Sequence, residues 1–268
     1  MTLVWPRTVS GPLSYEQLAA YGSEGYLIVG GVFDDVEVAM MRRAFERLRT
    51  LSHELDASGM YRGAQFVLGD RPDGTGLGRA IQRVVWCAAA DPVLDRLGRD
   101  PRLVHMAAQI LGSSAMDQLI SQAHFKDPSD GVHFPWHQDS RHRRFGTELW
   151  SDVNGTGSFV EIVTAIDPMT SDNGPLRVIP GSHRHGHLAT DPATERFLPS
   201  NEAWFDAHDA IDIALEPGDV ALFGPYLIHG SEPNRSERGR RTFLNGFAHP
   251  GANRRDYPGE GSGRTLSI

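Results

Sequence analysis

The sequence has little cysteine, no long apolar run and no excess of positive charge, and each shortage argues against a class of protein. Cys87 is the only cysteine among 268 residues, so an internal disulfide is impossible and a reducing cytoplasm is the expected location. No apolar segment reaches the roughly 18 residues that cross a membrane, and the first residues lack the pattern of a secretion signal. The net charge of −8 argues against a general nucleic-acid-binding surface.

The first part of the chain, up to about residue 115, carries mainly helix signals. These are capping residues, apolar positions at a spacing near 3.6, and Pro or Gly at the helix ends. They predict helices over residues 15–23, 35–55 and 101–111, and short strands over residues 25–29 and 81–86. The Gly- and Asp-rich segment 58–78 shows weak periodicity, so we expect a loop there that covers a ligand.

From residue 116 onward, short β-like runs alternate with turn residues. The runs cover residues 119–125, 158–166, 176–179, 211–215, 220–223, 226–229 and 242–247. Several short strands at this spacing favour a sandwich or barrel over alternating strands and helices. We therefore expect a mainly β fold with flanking helices packed on a jelly roll. One domain is expected to span residues 1–268, with a helical part at about 1–115 and a β core at about 116–250.

A histidine and a carboxylate stand two positions apart in the segment His133-Phe-Pro-Trp-His-Gln-Asp139. Residues i and i+2 of a β-strand point to the same side, so His137 and Asp139 are expected to project together. His229 follows an apolar run and is the best candidate for a third ligand from a distant strand. Two nitrogens and one oxygen on one face of a metal are typical of non-heme iron(II) oxygenases, which leave the opposite face open.

A second histidine cluster, His183-x-His185-x-His187, alternates in the same way. The preceding residues Pro180-Gly-Ser have turn chemistry, so a surface or lid role is the favoured interpretation of this cluster. The segment Gly74-Thr-Gly-Leu-Gly78 has neither a clear strand before it nor a Lys-Ser or Lys-Thr pair after it. It therefore does not predict a phosphate-binding loop.

Three segments resemble sequence motifs of the phytanoyl-CoA dioxygenase family, and they have the order and spacing found in that family. Its members are iron(II)- and 2-oxoglutarate-dependent oxygenases and include ectoine hydroxylase. The first is His137-Gln-Asp139. The second is Asp172-Asn-Gly-Pro-Leu-Arg-Val-Ile-Pro-Gly-Ser-His183. The third is His229-Gly-Ser-x-x-Asn followed by Arg240. The resemblance implies a double-stranded β-helix, the cupin-like jelly roll, and a requirement for Fe(II), 2-oxoglutarate and O2.

The resemblance also implies roles for individual residues. His137, Asp139 and His229 would bind iron, and Arg240 would pair with the distal carboxylate of 2-oxoglutarate, with Arg241 kept as the alternative. The further residues expected near the cosubstrate are Ser231, Gln122, Lys126 and Thr164. Val163 stands where family members often carry Trp, which affects the local shape of the pocket. Related halogenases replace the ligating carboxylate by Ala or Gly, so Asp139 favours hydroxylation.

The segment after the metal motif suggests a substrate clamp. Arg141, Arg143 and Arg144 lie within five residues of Asp139 in an acidic protein, and a solvated loop is the equally weighted alternative. The further candidates for the substrate side are Trp150 and His133. The expected substrate is a small molecule, such as an amino acid or a natural-product intermediate, and the protein is expected to be a monomer or a homodimer.

Two other classes of protein stay open from the sequence. A non-catalytic jelly-roll protein that binds a metal or a ligand would not need the His-Asp-His set together with Arg240. A zinc hydrolase uses a similar ligand set plus water, but it would have no role for Arg240.

Overall fold

The computed structural model of the chain describes residues 13–70, 79–191, 194, 196–198, 201 and 206–268. The helices of this described part are α1 (Tyr15–Glu24), α2 (Asp35–Ser52), α3 (Pro92–Gly98), α4 (Pro101–Leu111) and the one-turn α5 (Asp139–His142). The strands are β1 (Tyr26–Val29), β2 (Gly59–Tyr61), β3 (Ala64–Asp70), β4 (Arg79–Val85), β5 (Ala115–Lys126), β6 (Phe134–His137), β7 (Phe159–Ala165), β8 (Arg177–Val178), β9 (Ile211–Asp212), β10 (Val220–Phe223), β11 (His229–Ser231), β12 (Arg240–Ala248) and β13 (Arg264–Ser267).

The helix ends follow from local side-chain chemistry. Ser14 caps α1 and Asp34 caps α2, each as part of a capping box that satisfies backbone N–H groups at the helix start. Pro101 begins α4, and Gly112 ends it in the left-handed conformation with φ 65°. These predictions are confirmed to within a few residues. Helix α3 was not predicted, although Asp91 and Pro92 begin it with the same chemistry that begins α4.

Two antiparallel sheets form the β core, and the predicted jelly roll is confirmed. The larger, nine-stranded sheet runs β1-β10-β7-β12-β5-β4-β3-β2, with β13 paired to β5. The smaller sheet has the order β6-β11-β8-β9. Strands that are far apart in the chain are therefore neighbours, which brings the segments around residues 137 and 229 side by side.

Apolar side chains fill both sides of the larger sheet. One cluster joins its outer face to the helices, and its members include Phe45 on α2, Met106 on α4 and Phe243 on β12. A second cluster lies between the two sheets and includes Val163 on β7 and Val178 on β8. The outer layer holds the larger sheet rigid while its inner face carries the polar groups described below. In the described residues, no helix has both the length and the apolar character needed to span a bilayer.

The segment 58–78 is only partly the loop that we predicted. Residues 59–61 and 64–70 form the hairpin of β2 and β3, in which Ala64, Phe66 and Leu68 are buried on one side. This period-two pattern was hidden among the Gly and Asp residues around it. Residues 71–78, including the Gly74–Gly78 segment, lie outside the described residues.

Candidate active site

Three side chains from three different segments converge at one end of the smaller sheet. His137 ends β6, His229 begins β11, and the two residues are direct partners in the antiparallel pairing. Their ring centroids are 4.2 Å apart. The Nε2 atoms of His137 and His229 each lie 4.0 Å from Oδ1 of Asp139. Within the described part of the chain, this is the only group of three His, Cys, Asp or Glu side chains whose ligand atoms lie within 4.8 Å of one another.

Backbone hydrogen bonds orient both imidazoles toward Asp139. Nδ1 of His137 donates to the carbonyl of Pro135 at 2.7 Å, and Nδ1 of His229 donates to the carbonyl of Leu227 at 3.0 Å. Each Nε2 atom therefore carries the lone pair that a metal requires. Burial lowers the pKa of His137 to about 3, so this ring is neutral at physiological pH. Burial opposes the ionisation of Asp139, but the neighbouring His229 ring and the Arg143 guanidinium hold its pKa below the usual value.

The predicted strand geometry of the His-x-Asp motif needs one correction. The strand ends at His137, and Asp139 is already the first residue of the one-turn helix α5. Gln138 between them remains extended, with φ −117° and ψ 140°, so the alternation of side chains still carries Asp139 to the side of His137. Gln138 itself points away and donates to the carbonyl of Tyr226 at 2.6 Å.

The rival histidine cluster does not form a shared site. His183 lies in a short 3₁₀ helix, Ser182–His185, and its ring contacts the carbonyl of Gly22. His187 lies elsewhere and its Nδ1 is 2.7 Å from the hydroxyl of Ser140. The extended conformation that would have aligned these rings is absent between residues 182 and 185.

A cavity of about 370 Å³ opens next to the three candidate ligands, between the two sheets. Its apolar lining includes Phe134, Phe223, Val163 and Leu244. Its polar lining comprises Gln65, Arg83, Gln122, His124, His142, Arg143, Glu161, Ser231, Arg240, Thr242, Arg255 and Tyr257. A mostly apolar cleft with a few convergent polar groups is typical of a small-molecule site.

Arg240 and Arg241 lie on opposite faces of β12. Arg240 lines the cavity and is 6% exposed, and within the described part of the chain its Nε atom has no hydrogen-bond partner. Burial lowers its pKa to about 10, so the guanidinium remains charged at neutral pH. Arg241 instead donates to Asp167 at 2.7 Å and to Glu46 at 2.6 Å on the outer side of the sheet. The structure therefore contradicts Arg241 as the alternative cosubstrate residue.

Three further residues predicted near the cosubstrate lie in or next to the cavity that Arg240 lines. Ser231 and Gln122 line the cavity. Lys126 is buried next to them, and its ammonium donates to the hydroxyl of Ser231 at 2.7 Å. Burial, and then the charge of Arg240, lower the pKa of Lys126 to about 7.

Thr164 does not line the cavity, in contrast to the prediction. Its strand partner is Phe243, which belongs to the helix-side cluster, and Thr164 is fully buried on that same face. Because side chains alternate along β7, the residues that face the cavity are Val163 and Glu161. The prediction identified the correct strand, β7, but assigned Thr164 to the wrong face of it.

Of the residues predicted for the substrate side, only Arg143 lines the main cavity. Arg141 lies near His142, with 3.4 Å between Nη2 and Nε2, and Arg144 is exposed. Trp150 packs in an apolar cluster and donates to the carbonyl of Gly157 at 3.3 Å. His133 is exposed and lines a smaller neighbouring cavity of about 290 Å³. Because the chain turns through α5 and the residues just after it, Arg141, Arg143 and Arg144 point in different directions, and the predicted clamp reduces to Arg143.

Eight polar cavity residues were not predicted from the sequence, namely Gln65, Arg83, His124, His142, Glu161, Thr242, Arg255 and Tyr257. Glu161 had a usable signal, because it is the one charged residue in the otherwise buried strand Phe159–Ala165. A buried charge without an evident partner costs several kcal/mol and is retained where it has a role. Tyr257 lies in the irregular segment between β12 and β13, where no periodic pattern could have predicted its position.

Comparisons with known proteins agree with this geometry. The sequence pattern of the family described as Phytanoyl-CoA dioxygenase (PhyH) matches residues 21–242. The ectoine dioxygenase of Bordetella bronchiseptica is 30% identical over 84% of this chain and 71% of its own length. The L-proline trans-4-hydroxylase of Streptomyces griseoviridis is 28% identical over 88% of this chain and 87% of its own length.

Solved structures give the same result for the fold. The crystal structure of EctD from S. alaskensis with bound Fe superposes with a TM-score of 0.70 and 26% identity, covering 92% of this chain and 80% of EctD. A second structure of that protein, with 2-oxoglutarate and 5-hydroxyectoine, gives a TM-score of 0.71 over 94% of this chain and 82% of EctD.

Proposed function

The chain belongs to the phytanoyl-CoA dioxygenase family, and we propose that its substrate is a small molecule, such as an amino acid or a natural-product intermediate, hydroxylated at an unactivated C–H bond. The protein is an iron(II)- and 2-oxoglutarate-dependent dioxygenase that releases succinate and CO2. The observation that carries this function is the convergence of His137, Asp139 and His229 beside a cavity lined by the buried Arg240, which has no carboxylate partner among the described residues.

The three side chains suit iron(II). Two neutral imidazole nitrogens and one carboxylate oxygen match the donor set of non-heme iron oxygenases, and they leave positions open toward the cavity. Iron(II), when bound, supplies the chemistry that activates O2 with 2-oxoglutarate as the reductant. The protein's own contribution is to hold Asp139 and the two Nε2 atoms in place. It also provides apolar walls around the reacting carbon, among them the Phe223 ring, whose centroid is 4.6 Å from that of His229.

Arg240 is our candidate for binding the distal carboxylate of 2-oxoglutarate. Its guanidinium is buried in the cavity wall without a carboxylate partner in the described residues, which is costly unless a ligand supplies the negative charge. Planar guanidinium and carboxylate groups form two parallel hydrogen bonds. Ser231, Lys126 and Gln122 stand nearby and would complete the polar end of the cosubstrate site.

The alternative functions have no use for this arrangement. A zinc hydrolase would leave Arg240 without a partner, and a non-catalytic binding protein would need no open metal positions beside the cavity. Arg143, the cavity residue of the predicted substrate clamp, is our candidate for positioning the substrate. Its Nη1 donates to the hydroxyl of Tyr257 at 3.0 Å, and its guanidinium lies 4.4 Å above the Phe159 ring.

Turnover of 2-oxoglutarate tests the proposal directly. Enzyme purified without oxygen is reconstituted with Fe(II) and supplied with 2-oxoglutarate, O2 and a panel of metabolites, and mass spectrometry detects succinate and any product 16 mass units heavier. We expect succinate formation that depends on Fe(II) and rises with a subset of the panel. Succinate formation that is equal with and without Fe(II) would contradict the proposal.

Three further features are proposals of the same kind. Helices and strands share one apolar cluster, which supports a single domain over residues 1–268. The lone, buried Cys87 supports a reducing, cytoplasmic setting. A monomer or a homodimer is the expected state, and sedimentation velocity distinguishes the two.

A further inference from the structure

Glu161 is a buried carboxyl group in the wall of the cavity. It is 3% exposed, and its Oε2 atom has no hydrogen-bond partner among the residues that the structure describes. The other members of β7 are uncharged, and the whole strand is buried. A buried hydrogen-bond acceptor without a donor destabilises the folded protein. We therefore expect the ligand of this cavity to supply the donor for Oε2 of Glu161.

The chain leaves room for this carboxyl group at Gly246. Gly246 is the direct partner of Glu161 on β12, and a Cβ atom there would lie 2.8 Å from Oε2. It would also lie 2.7 Å from side-chain atoms of Ile120 and Phe159. Any larger residue would therefore displace the carboxyl group, and glycine lets it lie flat across the neighbouring strand.

Glu161 also lies close to the metal centre. Its partner on the other side is Phe223 of β10, and the Phe223 ring is 4.6 Å from the ring of the candidate ligand His229. Glu161 is thus one strand away from a ring that touches the metal site. A ligand group bound to Oε2 would hold the neighbouring carbon atoms near the open metal positions.

The charges around Glu161 leave it available to a ligand. Arg143 is the nearest cation, but the described residues show no ion pair within 4.0 Å between the two, and Arg143 is engaged by Tyr257 and the Phe159 ring. Burial, and then the negative charge of Asp139, raise the pKa of Glu161 well above its usual value. An incoming cation would favour the carboxylate form, and the aromatic ring of Phe223 in the same cavity also favours a cation.

We propose that Glu161 binds a protonated nitrogen of the substrate, so that the enzyme hydroxylates a small molecule carrying an amine close to the reacting carbon. This inference rests on the proposed function, because it assigns the substrate class of the same cavity. The carboxylate sets substrate orientation and selectivity and takes no part in metal binding or in cosubstrate binding.

Matched five-membered rings test the inference. The probes are pyrrolidine and L-proline, which carry a protonated nitrogen, and cyclopentanol and cyclopentanecarboxylate, which carry none. Anaerobic enzyme is loaded with Fe(II) and 2-oxoglutarate, and each probe's Kd is read from its change in the visible charge-transfer band of that complex. We expect the nitrogen-containing rings to bind at least about tenfold more tightly than the others, as a charge-assisted hydrogen bond predicts.

The variant Glu161→Gln keeps the shape of the side chain and removes its charge. It should weaken binding of the nitrogen-containing rings by about 10- to 150-fold and leave the other rings unchanged. The exposed Glu237→Gln is the matched control and should bind every probe as the wild type does. Gly246→Ala moves the carboxyl group without changing its charge, and it should weaken the same two probes even if Glu161→Gln folds poorly.

The outcomes separate this inference from the proposed function. Equal binding of all rings, no binding of the nitrogen-containing rings, or unchanged affinities in both Glu161→Gln and Gly246→Ala would overturn the role of Glu161 while the charge-transfer band remains intact. Absence of that band in the wild-type enzyme would instead contradict the assignment of iron and 2-oxoglutarate.

Discussion

Replacing Arg240 by Met separates two effects that usually change together, cosubstrate affinity and protein stability. Its neighbour Arg241 is a matched control, because it has the same charge on the same strand but lies on the opposite face in ion pairs with Asp167 and Glu46. We expect Arg240→Met to lose 2-oxoglutarate affinity without losing stability. Arg241→Met should do the reverse.

The magnitudes follow from the surroundings of each guanidinium. Hydrogen bonds to a charged group contribute about 1.5–3 kcal/mol, so Arg240→Met should raise the Kd of 2-oxoglutarate about 10- to 150-fold. The pKa of Arg240 falls from 12.5 to about 10 on burial, which corresponds to about 3 kcal/mol of unfavourable charge burial. At neutral pH, below both values, the folded protein bears this cost in full. Its removal should therefore leave the ligand-free protein at least as stable as the wild type.

Two measurements decide the matter. Anaerobic titration of the Fe(II) enzyme gives the Kd of 2-oxoglutarate, and urea denaturation of the ligand-free protein gives the free energy of unfolding. Arg241→Met should leave the Kd within about twofold and lower the free energy of unfolding by about 1 kcal/mol, as for a half-buried ion pair. A normal Kd in Arg240→Met together with a raised Kd in Arg241→Met would refute the assignment of the faces of β12.

Three more predictions concern the rest of the site. Asp139→Ala should lose Fe(II) binding, because only two neutral imidazoles remain to bind the ion. Metal analysis after anaerobic dialysis measures this loss, and full 2-oxoglutarate turnover in the variant would contradict the iron site. The pKa of Lys126 is about 7, so its positive charge is lost as the pH rises through 7. The Kd of 2-oxoglutarate should therefore increase between about pH 6 and 8.5 in the wild type, and a similar increase in Lys126→Met would exclude this residue as its source. Arg143→Met should raise the substrate KM about tenfold and leave the 2-oxoglutarate KM unchanged. If the exposed Arg144→Met raised the substrate KM equally, neither arginine could be assigned a specific contact with the substrate.

The closeness of His137 and Asp139 could be predicted from the sequence because its signal is local. The two residues are joined by one extended residue, and neither the end of β6 nor the start of α5 changes the side on which they lie. The third candidate ligand, His229, was singled out because it follows an apolar run and because its segment resembles a family segment. The pairing of β6 with β11 explains its position beside His137.

Assignments that depend on which face of a strand is inside were less secure. Thr164 and Glu161 lie on the same strand with opposite orientations, and no residue in Phe159–Ala165 is exposed to reveal the inner face. The pattern of polar and apolar residues normally supplies that information, but a strand buried on both sides lacks it. For Arg240 and Arg241 the ambiguity had the same origin, and the pairing with Asp167 resolves it.

The inner face of β12 explains how one cavity can hold two different ligands. Arg240 begins the strand and Gly246 lies six residues later, so their Cα atoms are about 20 Å apart at a rise of about 3.3 Å per residue. Arg240 offers a positive charge at one end, and Gly246 makes room at the other end for the carboxyl group of Glu161. If Arg240 binds the cosubstrate and Glu161 the substrate, as we propose, opposite charges direct the two molecules to separate ends of the cavity. His137 and His229 face both ends from the smaller sheet.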